Sequence, residues 1–88
     1  MEKMWYVYIL RSIKDNAKTY IGITEDVEKR LSEHNANTQT YTKRYSPFRV
    51  EVYIAFSDKK KAIRFEKYLK VGSGKAFLNK HLIGEENV

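Results

Sequence analysis

Three polar side chains stand where the hydrophobic periodicity of their segments calls for apolar ones. At about 100° per residue, Val27 and Leu31 define the buried stripe of a helix over residues 25–35, and Arg30 and His34 fall beside Val27 on the same side. Further along, Ala62, Phe65 and Leu69 form an inward stripe widened by Ile63, and Glu66 lies between Ala62 and Ile63 inside that arc. Carboxylates are seldom buried unless paired or bound to a metal. Guanidinium, imidazole and carboxylate together make an acid–base–cation set, and such sets mark functional sites more often than single charges do. Each also has a structural reading. Arg30 can snorkel at the core edge, His34 can be a satisfied interfacial imidazole, and Glu66 can pair with a cation such as Arg30. Tyr8 and Tyr20 are two of seven tyrosines; in strands, composition alone assigns them to packing.

The elements that must position these groups follow from propensity and turn chemistry. Residues 5–11 (WYVYILR) are aromatic and β-branched and read as a strand. A polar connection with Asp15–Asn16 leads to a second short strand, residues 19–24 (TYIGIT), making an antiparallel hairpin. Thr24 is a suitable N-cap for the helix over 25–35, with Glu25, Asp26 and Glu28 favouring its positive end. Residues 36–48 read as a polar loop. In residues 50–56, Val50, Val52, Ile54 and Phe56 alternate with Glu51, Tyr53 and Ala55, the pattern of a third strand with one apolar face. Ser57 or Asp58 caps a second helix ending near Val71–Gly72, Gly72-Ser73-Gly74 is a sharp break, and residues 75–83 form a last short helix. The expected fold is α/β of the α+β kind: a small three-stranded antiparallel sheet flanked by helices, in the order β-β-α-β-α-α.

Eighty-eight residues make a single domain over residues 1–88, with one modest core. The absence of cysteine excludes a disulfide scaffold and a cysteine-based zinc site, and two histidines do not replace them. The N-terminal apolar run is too short to cross a membrane and precedes no small-residue cleavage site, so no membrane association and a cytoplasmic location are expected. A net charge of +6 favours polyanionic partners, nucleic acid above all.

Tyr6-Val7-Tyr8 followed by Tyr20-Ile21-Gly22 resembles the paired tripeptides of the GIY-YIG nucleases, with Tyr6 in place of the first glycine. Arg30-Leu31-Ser32-Glu33-His34-Asn35 is similar to that family's arginine- and histidine-bearing helix, and the stretch Arg64–Lys70 to the helix carrying its metal-binding glutamate. Gly72–Leu78 is similar to small stand-alone bacterial members, which are likened to the N-terminal domain of excinuclease C. The likeness spans about residues 4–83 in order and spacing. It implies an endonuclease hydrolysing phosphodiester bonds by one-metal activated-water attack, with DNA favoured over RNA and, through the excinuclease likeness, a link to DNA repair.

By the same resemblance, Tyr8 accepts a proton from water or orients it, and Tyr20 hydrogen-bonds near the scissile phosphate. Arg30 stabilises developing negative charge, and His34 assists proton transfer or binds phosphate. Glu66 is the sole protein carboxylate on one divalent ion, Mg²⁺ or Mn²⁺. Arg11 matches a basic residue beside the tyrosine in some relatives, and Asn79 a polar residue of the last helix. Tyr6 for glycine bears on substrate range, since a phenol narrows a groove that glycine leaves open.

The chemistry is physically coherent. Phosphodiester hydrolysis needs an activated water and neutralised phosphoryl oxygens; one carboxylate suits Mg²⁺, which keeps several waters, and the forked guanidinium of Arg30 matches two phosphate oxygens. A tyrosine base titrates near 10, so a cation such as Arg11, or metal-bound water, has to favour phenolate. Tyr8, Tyr20, Arg30, His34 and Glu66 are expected on one concave, electropositive surface over the hairpin, which requires Glu66 on the same side of the sheet as Tyr8. Lys43 and Arg44 are candidate nucleic-acid contacts, as is the Lys59–Lys61 run, which is equally a solvated helix start. The alternative is a non-catalytic nucleic-acid-binding module on the same scaffold, with basic residues on phosphates and tyrosines stacking on bases.

Overall fold

In a computed structural model of the protein, residues 3–36 and 40–84 are described. Three strands, β1 (Trp5–Ser12), β2 (Thr19–Thr24) and β3 (Phe48–Phe56), form an antiparallel sheet in the order β2-β1-β3. Helix α1 (Val27–Asn35) and short α2 (Thr40–Tyr45) lie between β2 and β3 in the chain. Helix α3 (Lys59–Leu69), α4 (Gly72–Phe77) and a π-helical turn (Leu78–Leu82) follow β3.

Central strand β1 sorts the molecule into two layers. Its side chains alternate across the sheet, so Val7 and Ile9 build one core with Ala62, Leu69 and Leu78, while Tyr8 and Leu10 build the other with Phe48. Helix α3 and the π-helical turn therefore cover one face. Helix α1 covers the opposite face through Val27 and Leu31.

The expected single apolar face of the third strand is not what forms. The pairing shifts register between Ile9 and Leu10, so Ile9 faces Val52, Leu10 faces Val50, and Glu51 is the extra residue of a bulge. Phe48 and Val50 then point into the Tyr8 layer, whereas Val52 and Phe56 point into the Val7–Ile9 layer.

Helix boundaries differ from expectation for local reasons. Asp26, not Thr24, is the N-cap of α1, with extended backbone and a carboxylate that accepts from the Lys29 amide. The Thr24 hydroxyl instead accepts from the Asp26 amide and sets the turn before the cap. Asp58 rather than Ser57 caps α3, accepting from the Lys60 amide. Helix α2 falls within the expected loop; TYTKRY has no apolar period to announce it, and it is tied down by tertiary contacts. The Ser12 hydroxyl donates to the Tyr45 carbonyl at 2.6 Å, and Tyr45 packs on the Tyr8 layer. The break after α3 lies at Lys70–Val71, and Gly72 takes φ of +53°, a left-handed value that favours glycine. Ser73 and Gly74 already belong to α4.

Candidate active site

Tyr8 is the centre of a buried polar cluster. Only 1% of its surface is exposed, and its hydroxyl lies 3.1 Å from Nε2 of fully buried His34, delivered by α1. The Tyr20 ring, from β2, stands 4.7 Å from the His34 ring and 6.3 Å from that of Tyr8. The Arg30 guanidinium, one helical turn before His34, faces the Tyr8 hydroxyl. Four residues from three elements, 26 positions apart at their extremes, meet on the α1 face of the hairpin.

The glycine of Tyr20-Ile21-Gly22 is what allows this. Gly22 pairs across the strands with Tyr8, and a Cβ at Gly22 would lie 2.4 Å from the Tyr8 hydroxyl and 2.6 Å from Cζ. The phenol thus lies across the bare backbone of the neighbouring strand. Any side chain at Gly22 would evict it.

Electrostatics follow from burial. Desolvation raises the pKa of Tyr8 above its ordinary value of 10, and the adjacent Arg30 guanidinium only partly opposes this. Desolvation lowers that of His34, and the positive charge of Arg30 lowers it further. The resting pair is therefore a phenol and a neutral imidazole. Arg30, whose protonated form is favoured by the phenol and by Glu33, bonds Glu33 Oε1 at 2.9 Å while 31% of its side chain stays exposed. It carries a permanent positive charge at the mouth of the cluster.

Glu66 is placed differently from expectation. Helix α3 packs on the Val7–Ile9 face, so Glu66 does not share a sheet face with Tyr8, because the alternation of β1 sends these two groups to opposite layers. Nor does it pair with Arg30: its carboxylate bonds Lys70 Nζ at 2.5 Å, one turn on, with 14% of its side chain exposed. Within α3, Glu66 lies one turn from both Ile63 and Lys70. Ile63 and Lys59 line a surface depression with Arg30, Ile23 and Thr24. Lys70 lines another with Tyr20, Lys75 and Asn79. Glu66 is thus flanked along α3 by two depressions that border edge strand β2, one containing Arg30 and the other Tyr20. Glu66 itself lines neither depression.

Arg11 is also corrected. Its guanidinium donates to the Ile83 carbonyl at 2.5 Å, to the Asn16 carbonyl at 2.7 Å and to Glu51 at 3.2 Å. It ties the hairpin to the chain end of the π-helical turn on the Val7–Ile9 side, and the cation beside Tyr8 is Arg30. Lys43 and Arg44 are exposed on α2, with Arg44 over the Tyr45 ring. Lys59, Lys60 and Lys61 are exposed in the first turn of α3. Two supporting residues escaped sequence reasoning. Glu33, at i+3 from Arg30, was legible as a helical ion pair. Asn35, whose side chain accepts from the Phe48 amide at 2.6 Å and donates to the Phe48 carbonyl at 3.0 Å, clamps α1 to β3 and had no local signal.

A three-stranded sheet whose hairpin tyrosines lie beneath an arginine–histidine helix, with a carboxylate-bearing helix on its other face, is a nuclease-type fold. The chain belongs to the GIY-YIG catalytic domain family, whose model matches residues 4–80. Members of that family are generally endonucleases. A UPF0213 protein of Cupriavidus pinatubonensis is 36% identical over 67 residues, spanning 75% of this chain and 72% of that protein. A UPF0213 protein of Orgyia pseudotsugata multicapsid polyhedrosis virus is 36% identical over 77 residues, spanning 85% of this chain and 72% of that one. The solution NMR structure of UPF0213 protein BH0048 from Bacillus halodurans superposes with a TM-score of 0.54 at 34% identity, over 92% of this chain and 87% of that one. None of these relatives' names states an activity. Among the described residues no helix is long and apolar enough to cross a membrane.

Proposed function

We propose that the protein is a metal-dependent endonuclease, with DNA favoured over RNA, in which Tyr8 and His34 work as one proton-accepting unit. The carrying observation is the buried 3.1 Å contact between the Tyr8 hydroxyl and His34 Nε2 beside a permanent cation. A phenol with a raised pKa is a poor base alone. With its own proton directed at a neutral imidazole, its oxygen can receive a proton from water while the imidazole takes the phenolic one. The water oxygen then bonds phosphorus as the bond to the leaving oxygen breaks. Arg30 holds the phosphoryl oxygens in their developing charge, Tyr20 orients the phosphate, His34 is left as imidazolium, and the leaving oxygen takes a proton from solvent.

Among the described residues, Glu66 is the group that fits a divalent ion. No group of three or more histidine, aspartate or glutamate side chains among the described residues could cage a metal. Glu66 offers a single carboxylate whose only charged partner among the described residues is the half-exposed Lys70. That suits Mg²⁺ or Mn²⁺ held mainly by water and substrate phosphate, and Lys70 is readily displaced. When bound, the ion supplies Lewis-acid stabilisation of charge on the reacting phosphate.

The test is incubation of the purified protein with a panel of labelled single-stranded, duplex and branched DNA and RNA, with and without Mg²⁺ or Mn²⁺. Metal-dependent cleavage that falls by orders of magnitude in Tyr8→Phe supports the reading. Tight binding without cleavage under every metal condition would leave the non-catalytic module instead.

A further inference from the structure

A further cavity lies outside this cluster. About 480 Å³ opens on the α1 face between the start of α1 and the β1–β3 pair, within the range of small-ligand sites, roughly 300–1,000 Å³. Val27, Leu31 and Val50 give it apolar walls. Tyr6 and Tyr53 form an edge-to-face pair, ring centroids 5.6 Å apart. Tyr53 pairs across the strands with Tyr8, and 55% of its surface is exposed. Its ring therefore stands out of the sheet immediately beside the strand position that carries the candidate base, steadied by Tyr6, the residue that replaces the motif glycine.

The rim is acidic, in a protein whose net charge is +6. Glu25 is paired with Lys3, and the Asp26 carboxylate is used by the helix cap. Glu28 is exposed and has no ion-pair partner among the described residues. Carboxylates repel a phosphate, so a nucleotide approaching from the basic side can enter only by its base. They accept hydrogen bonds from an exocyclic amino group, as acidic side chains do from cytosine N4. Glu25 also lines the depression that contains Arg30, so the two sites share a wall.

We propose that the Tyr6–Tyr53 pocket binds one unpaired nucleobase bearing an exocyclic amino group, adjacent to the phosphate held at Arg30. The inference rests on the nuclease reading and extends it to a substrate class. A base can leave the stack for this pocket most cheaply where it is already unpaired, so single-stranded, flapped or mismatched nucleic acid is preferred over perfect duplex. Adenine, cytosine or guanine is preferred over thymine or uracil, which lack the amino group.

The test is binding in EDTA, which separates it from catalysis. Short single-stranded DNAs carry 2-aminopurine at successive positions, and its fluorescence reports stacking. The wild-type protein is expected to quench it at one position. Tyr53→Ala should abolish that quenching and weaken binding roughly 5- to 150-fold, the span for loss of one base–aromatic stack; Tyr53→Phe should retain both. Thymine at the quenched position should weaken binding several-fold, and Glu28→Gln should reduce that discrimination. Tyr53 is exposed, so equal melting temperatures for the variants are expected and are checked in parallel. Wild-type binding that is indifferent to Tyr53 would overturn the pocket while leaving the nuclease reading intact. A wild-type protein that binds no oligonucleotide would overturn both. A lysine-rich peptide that shifts the Tyr6 and Tyr53 ring resonances while DNA leaves them in place would replace the base by a basic protein partner.

Discussion

Gly22→Ala tests the architecture of the site with a single methyl group. That methyl would lie 2.4 Å from the Tyr8 hydroxyl and 2.6 Å from Cζ, against ordinary contacts of 3.4–4 Å. The phenol must retreat by about 1 Å, and it has nowhere free to go, because Tyr8 is fully enclosed by α1, β2 and Phe48. The 3.1 Å contact to His34 is lost. Overpacking costs about 1–3 kcal/mol and a lost hydrogen bond about 0.5–1.5 kcal/mol, so the loss is at least about 1.5 kcal/mol. For a domain of this length that is a fall in Tm of roughly 6 °C or more. Displacement of a reacting group by about 1 Å costs on the order of 100-fold in rate. Thermal melting and single-turnover cleavage of the variant, alone and combined with Tyr8→Phe, measure both effects. Because the displaced hydroxyl is common to both changes, the double variant should lose less activity than the two single losses multiplied. A Gly22→Ala protein with wild-type Tm and wild-type cleavage would refute the seating of the phenol on the glycine.

Four further outcomes are expected. Glu66→Gln should keep the fold, since its partner Lys70 is half exposed and such pairs contribute about 0–1 kcal/mol, and should keep nucleic-acid binding while cleavage falls by orders of magnitude. Wild-type cleavage by Glu66→Gln would remove the metal role. The pKa of His34 is lowered by folding, so the unfolded chain binds the extra proton first; stability is full above the unfolded value near 6.5 and declines as pH falls from there through the folded pKa. Melting across that range should show the decline in wild type and a flatter profile in His34→Gln. Arg11→Met should lower Tm, corresponding to about 1–3 kcal/mol for its lost hydrogen bonds, while the shape of the pH–rate profile stays as in wild type; a changed profile would return Arg11 to the proton chemistry. Nucleic-acid binding should weaken steeply with salt through counterion release, with the slope reduced in Lys59→Ala and Lys70→Ala, and salt-independent binding would contradict the electrostatic account.

Much of this protein is determined by local chemistry that can be read along the chain. The hairpin follows from two β-rich runs and a short polar turn, α1 and α3 from the spacing of Val27–Leu31 and Ala62–Leu69, and the cap of α3 from Asp58. The groups worth watching were visible because each broke a period: Arg30 and His34 beside Val27, Glu66 beside Ala62. Family likeness, not composition, distinguished Tyr8 and Tyr20 from ordinary strand tyrosines.

Tertiary structure decided what those groups do to one another. A bulge at Glu51 divides β3 between two cores, and no pattern in residues 48–56 shows it, because the extra residue is defined only against its partner strand. Helix α2 has no period of its own and depends on contacts made by Ser12 and Tyr45. Arg11 looks from the sequence like a cation near Tyr8, yet three positions along a strand place it on the other face. Glu66 points inward from α3, as its phase requires, but periodicity says only that a side chain faces a sheet and not which face of the sheet it meets. That choice belongs to β1, whose alternation sends Tyr8 to α1 and Val7 and Ile9 to α3, leaving the edge of β2 as the place where the two layers come together.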